Sequence, residues 1–135
     1  MFSNRRSGRR VPVHTFLTEY ISEQPYRGMI TNLSEHGLRV QRVLRPGSRL
    51  SRLVQLEFEL PGTGENIWAL GEARFDDLEI APFGPVGAAP AATIHSSGVR
   101  LVQLARRHAR LIRDYVIEGR RRHLQEILGH LAPSA

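Results

Sequence analysis

Four arginines stand close together near the start of the chain, Arg5, Arg6, Arg9 and Arg10, so the spacing R-x-x-x-R occurs twice, as Arg5/Arg9 and Arg6/Arg10. An arginine fork binds phosphate through two parallel hydrogen bonds and stacks on flat rings, which a lysine ammonium cannot do. A second group follows: Asn32-Leu33-Ser34-Glu35-His36-Gly37 reads N-x-S-x-x-G. Each has a plainer reading when taken singly. The arginines alone would be a solvated basic tail, or a non-specific contact with RNA or a membrane surface. The turn alone would be an ordinary hairpin connection.

All 19 basic residues are arginine, against 13 acidic ones, and the formal net charge is +6. Such an excess attracts nucleic acids, anionic membrane surfaces and nucleotides alike, so position must decide between them. The chain has no cysteine, which excludes disulfides, thiolate metal sites and cysteine nucleophiles. His14, His36, His95, His108, His123 and His130 show no metal-ligand spacing. There is no glycine-rich phosphate loop, no G-x-S-x-G and no H-E-x-x-H. No nucleophile–base arrangement is visible, so no catalytic residue, metal or cofactor is assigned, and the chain is not expected to be an enzyme. No apolar run approaches the ~18 residues of a membrane span, and no signal peptide is visible. A cytoplasmic location is expected.

Length and composition suit one domain of 135 residues. Residues 1–10 read as a mobile arginine-rich arm. Period-two patterning then begins, with Val13, Thr15, Leu17 and Glu19 on one face and His14, Phe16, Thr18 and Tyr20 on the other. Ser22 to Pro25 reads as a turn, Tyr26 to Leu33 as a second strand, and Leu38 to Val43 as a third. Arg45 to Ser48 reads as a turn. Val54, Leu56, Phe58 and Leu60 alternate with Gln55, Glu57 and Glu59 in a fourth strand, closed by Pro61-Gly62-Thr63-Gly64. Ile67 to Phe75 forms a fifth, whose Ala69, Gly71 and Ala73 leave room for close backbone. Asp77 to Ser97, with Pro82, Pro85 and Pro90 among glycines and alanines, reads as a long irregular loop. Gly98 to Leu101 is the sixth strand. The period then changes to that of a helix over Gln103 to His130, about 42 Å long at 1.5 Å per residue. Leu104, Leu111, Ile112, Tyr115 and Val116 share its apolar face, which Leu124, Ile127, Leu128 and Leu131 extend, and Gly119 weakens it by about 1 kcal/mol. Its length exceeds what a small barrel covers, so its end is expected to pack against a second subunit. The fold class is mainly β: a six-stranded antiparallel barrel over 11–102, with the loop 77–97 inserted, capped by the helix 103–131.

With these elements in place, the two motifs resemble the PilZ domain family, whose members bind the bacterial second messenger cyclic di-GMP. Arg6 and Arg10 match the family's arginine pair best, because Arg10 runs directly into Val11-Pro12-Val13. Asn32, Ser34 and Gly37 match every defined position of the second motif. Leu60-Pro61, Gly71-Glu72-Ala73-Arg74-Phe75 and Gly98-Val99-Arg100-Leu101 carry the resemblance on to the closing helix. It departs in having Asn32 for the commoner aspartate and Phe75 where many members have tryptophan; Trp68 lies nearby, to flank a ligand or fill the barrel.

The resemblance implies a ligand site of Arg5, Arg6, Arg10, Asn32, Ser34 and Gly37. The arginines would take guanine O6 and N7 or phosphate oxygens, and Asn32 would accept from the guanine N1/N2 edge or fix the turn through its own side chain. Ser34 would present a small hydroxyl, and Gly37 a backbone conformation at φ > 0, at a point where a side chain would collide. Arg5, directly before the pair, implies an intercalated dimer of the ligand. A stand-alone receptor of this kind would order its arm on the ligand and signal through a partner protein, in motility, pili, exopolysaccharide or biofilm control. The alternatives are a PilZ-like adaptor that binds no nucleotide and works through its long helix, and a nucleic-acid-binding module. The last ranks lowest, because few aromatics are placed to stack on single strands.

Overall fold

A computed structural model describes residues 10–44, 51–83 and 92–131, without the side chains of 75–83, 92, 130 and 131. Six strands, β1 (Arg10–Ile21), β2 (Gln24–Ser34), β3 (Gly37–Leu44), β4 (Leu53–Leu60), β5 (Glu65–Phe83) and β6 (Ala92–Leu104), precede one helix, α1 (Arg106–Leu131). The strands close into an antiparallel barrel in the order β1-β2-β3-β6-β5-β4. The expected architecture is therefore found, with arm residues 1–9 and the turn at Arg45 to Ser48 outside the described residues.

Alternation places the core. Leu17, Ile30, Val40, Leu56, Ile67 and Val99 point into the barrel and are almost wholly buried, which is the period of two made physical. Glu19, in phase with Leu17, and Arg42, in phase with Val40, are carried inside as well. They pair there at 2.6 and 2.7 Å, while Ser97 Oγ accepts from the remaining Arg42 nitrogen at 2.7 Å. The β1–β2 connection is tighter than expected. Only Ser22 and Glu23 turn, both at positive φ, and Pro25 already lies in β2 opposite Tyr20. Those dihedrals match the right-handed twist of the two strands they join.

The expected loop at 77–97 requires correction. β5 continues to Phe83 and β6 starts at Ala92, with Glu79↔Ser96 through Phe83↔Ala92 in register. Residues 84–91 lie outside the described residues. Pro82 is tolerated because this end of β5 pairs with β6 alone, so one side of the strand has no ladder for a proline to break.

The helix begins three residues later than expected, and Leu104 belongs to β6. Its start is tied to β5: Arg107 donates to both oxygens of Glu65 at 3.0 Å, and His108 Nδ1 accepts from the backbone N–H of Trp68 at 3.3 Å. Ile112 and Val116 are buried against the barrel, with Leu111 and Tyr115 packed beside them. Gly119 lets this seat form, since a Cβ there would stand 3.0 Å from Val11 Cγ1. The apolar stripe continues only in part: Ile127 lies about 20° around the helix from Val116, but it is exposed. Leu124 and Leu128 lie about 80° and 120° around the helix from Val116, and they are exposed too.

Candidate functional site

The strand register assembles a cleft on the outer wall of the barrel. Pairing sets Arg10 opposite Ser34 and Asn32 opposite Arg39. It continues from Arg39 to Gly98 and from Gly98 to Arg74, so Asn32, Arg39, Gly98 and Arg74 form one row across β2, β3, β6 and β5. Their inward neighbours Leu33, Val40, Val99 and Ala73 are buried, so the row itself faces outward. The result is an open cleft of about 260 Å³ lined by Arg10, Asn32, Ser34, Gly37 and their neighbours.

Four of the six residues expected to hold a ligand thus meet in one place: Arg10, Asn32, Ser34 and Gly37. Arg5 and Arg6 lie outside the described residues. The turn between β2 and β3 is built by Ser34, whose hydroxyl donates to the Gly37 carbonyl and accepts from the Gly37 N–H, both at 3.1 Å. Ser34 thereby closes the turn with its side chain, a role the residue type alone does not announce. Of the two reasons expected for glycine at position 37, the collision holds and the positive φ does not. Its φ is not positive; a Cβ would stand 2.7 Å from the Val99 carbonyl oxygen. The requirement is a close approach of β6, which continues in the Leu101 N–H donating to the His36 carbonyl at 2.8 Å.

Three further arginines line the cleft, Arg39, Arg74 and Arg100. Arg39 donates to Ser96 Oγ at 3.3 Å, and Arg100 to Glu72 at 2.9 Å. Among the described residues no carboxylate lines the cleft itself, and its four arginines make it suit an anion. Sequence reasoning did not single out these three. Arg39 stands two residues beyond Gly37 and so repeats its outward phase, but only the cross-strand register brings Arg74 and Arg100 alongside. Trp68 neither lines the cleft nor fills the barrel: it is half exposed and stacks on Tyr20, ring centroids 6.1 Å apart. The side chain of Phe75 lies outside the described residues. Among the described residues no cluster of three or more histidine, aspartate or glutamate side chains could hold a metal ion, and no described helix is long and apolar enough to cross a membrane.

Comparison with known proteins agrees with this architecture. The chain is similar over 91% of its length to the structure of the PilZ domain with c-di-GMP of YcgR from Escherichia coli, at 13% identity and a TM-score of 0.63, covering 97% of that chain. It is also similar to the Bacillus subtilis inhibitor of motility MotI/DgrA, at 19% identity and a TM-score of 0.62 over 90% of its length. This chain spans about half of that protein, 52%. No curated protein sequence matches. At these identities the likeness is one of fold. The family model for the PilZ domain matches residues 4–81, more than half of the chain, across both motifs and the first five strands. With that match and the closed barrel together, the chain belongs to the PilZ domain family.

Proposed function

We propose that this protein is a receptor for cyclic di-GMP, not a catalyst, and that it takes the ligand as an intercalated pair. Arg5 and Arg6 would come onto the ligand beside Arg10, and the changed surface would be read by a partner protein. The observation that carries the reading is the convergence of Arg10, Asn32, Ser34 and Gly37 on one cationic cleft. The structure of the YcgR domain with c-di-GMP adds support from a shared fold. Guanine and phosphate are both matched by arginine forks, and a ligand of several negative charges would reverse the potential at the cleft. A role in motility is suggested by the name of the second structural relative alone.

Calorimetric titration with cyclic di-GMP tests this directly. Saturable binding near two molecules per chain is expected, weakened at least tenfold in Arg10→Ala and Asn32→Ala. Arg5→Ala is expected to bind one molecule. Absence of heat and of any melting-temperature shift at high ligand excess would remove the receptor reading.

The exposed Leu124, Ile127 and Leu128 favour a second reading, an adaptor whose helix end binds another protein or a second copy. Sedimentation over a range of concentrations would show a dimer that Leu124→Asp dissociates if the second copy is the occupant.

A further inference from the structure

Viewed down its axis at about 100° per residue, α1 carries two kinds of side chain on one outer face. Arg106, Arg110, Arg113, Arg120 and Arg121 fall within an arc of about 120°. Leu124, Ile127 and Leu128 fall within the same arc, and all three are exposed. The carboxylates of the helix, Asp114, Glu118 and Glu126, lie outside it. Asp114 and Glu118 reach Arg113 and Arg121 at 3.7 and 3.4 Å. Arg106, Arg110 and Arg120 enter no ion pair among the described residues. From Arg120 to Gly129 every residue is exposed.

We propose that this face docks on an anionic lipid surface, with the later turns of α1 inclined into it. Leu124, Ile127 and Leu128 enter the acyl boundary, while the arginines lie along the headgroups and bind their phosphates through paired hydrogen bonds. The arginine stems cover apolar surface and keep their charged heads in the polar layer. The order along the axis favours this occupant. Arginines come first and aliphatic side chains after them, so a dipping helix presents each to the layer that suits it. A nucleic acid would satisfy the arginines and leave the aliphatic side chains in water. A second copy would set arginine against arginine, since the arc offers no carboxylate to pair with. Three aliphatic side chains anchor weakly by themselves, so the binding is electrostatic first and reversible. The inference does not rest on the receptor reading, and the helix supplies none of the residues that line the cleft.

The test is flotation of the full chain, without cyclic di-GMP, on two kinds of vesicle. One is phosphatidylglycerol and phosphatidylcholine in about equal parts, and the other is phosphatidylcholine alone. Binding to the mixed vesicles is expected to exceed binding to the neutral ones at least tenfold and to weaken as salt rises. Arg110→Gln and Arg120→Gln are each expected to lower it about fivefold, the effect of one arginine near an anionic surface. Leu124→Asp combined with Leu128→Asp is expected to lower it at least tenfold. All four side chains are exposed, so the variants are expected to melt as the native protein does. The chain has no cysteine, so Leu128→Cys accepts a single environment-sensitive dye. Its emission is expected to shift to the blue on the mixed vesicles, and that of the same dye on Glu118→Cys to stay put. Equal binding to both kinds of vesicle would overturn the proposal, as would mixed-vesicle binding that the double leucine variant leaves unchanged. Absence of flotation would overturn it too. A dimer that Leu124→Asp dissociates, or binding of a labelled DNA duplex, would then give the face to a second copy or to a nucleic acid.

Discussion

Inside the barrel wall, Glu19 and Arg42 hold one another through two short charge-assisted bonds. Deleting one partner strands a buried charge, which costs far more than the pair itself contributes. Glu19→Ala is expected to lower stability by about 3–5 kcal/mol, and Glu19→Leu with Arg42→Met to lose much less; urea unfolding of the three proteins checks both. His95 lies beside this pair and is buried. Burial first, then the Arg42 guanidinium, hold its pKa below the ordinary 6.5, with Glu19 pulling the other way. The folded protein thus binds fewer protons here than the unfolded chain does. The stability this group contributes is complete above pH ~6.5 and falls as pH drops below it. Melting temperatures between pH 7.5 and 5 are expected to decline, and to decline less in His95→Gln. At the site, Ser34→Ala removes two hydrogen bonds across the turn and is expected to cost about 1–2 kcal/mol. Ligand titration and melting of that variant together separate the turn role from any contact with a ligand.

Elements explain why some of this was readable and some was not. β4 and its closing turn follow from strict alternation and from Pro61-Gly62-Thr63-Gly64, where Gly62 and Gly64 do adopt positive φ. Half of the expected site was within reach for the same reason: Asn32, Ser34 and Gly37 are local to one turn, and local spacing survives folding. Arg39, Arg74 and Gly98 are neighbours only through register between strands far apart in sequence, and no periodicity encodes that. The end of β5 was hidden because Pro82 argues against a strand until the strand is known to be an edge there. Gly119 shows the same limit. Propensity reads it as a weakness in the helix, whereas packing makes it the notch for Val11. Gly119→Ala is therefore expected to leave stability nearly unchanged, helix propensity gaining what the tight contact loses. Gly119→Leu is expected to cost about 1–3 kcal/mol by overpacking, and thermal melts distinguish the two.

Across the whole molecule the strands are not joined equally. β3 and β6 match over eight residue pairs, Gly37↔Arg100 to Leu44↔Thr93, and β4 and β5 over eight, Leu53↔Glu72 to Leu60↔Glu65. β1 meets β4 over four only, Leu17↔Phe58 to Tyr20↔Gln55. The first part of β1 is thus laddered on β2 alone, and the helix packs over it where Val11 meets Gly119. Hydrogen exchange is expected to be faster in residues 10–16 than in β4, and to slow on ligand binding. Mechanically, the short seam makes the start of β1 a reed clamped at one end, with Arg10 at its tip and the helix resting one residue behind. Whatever stills the tip damps the reed, and the helix is the first body to feel it.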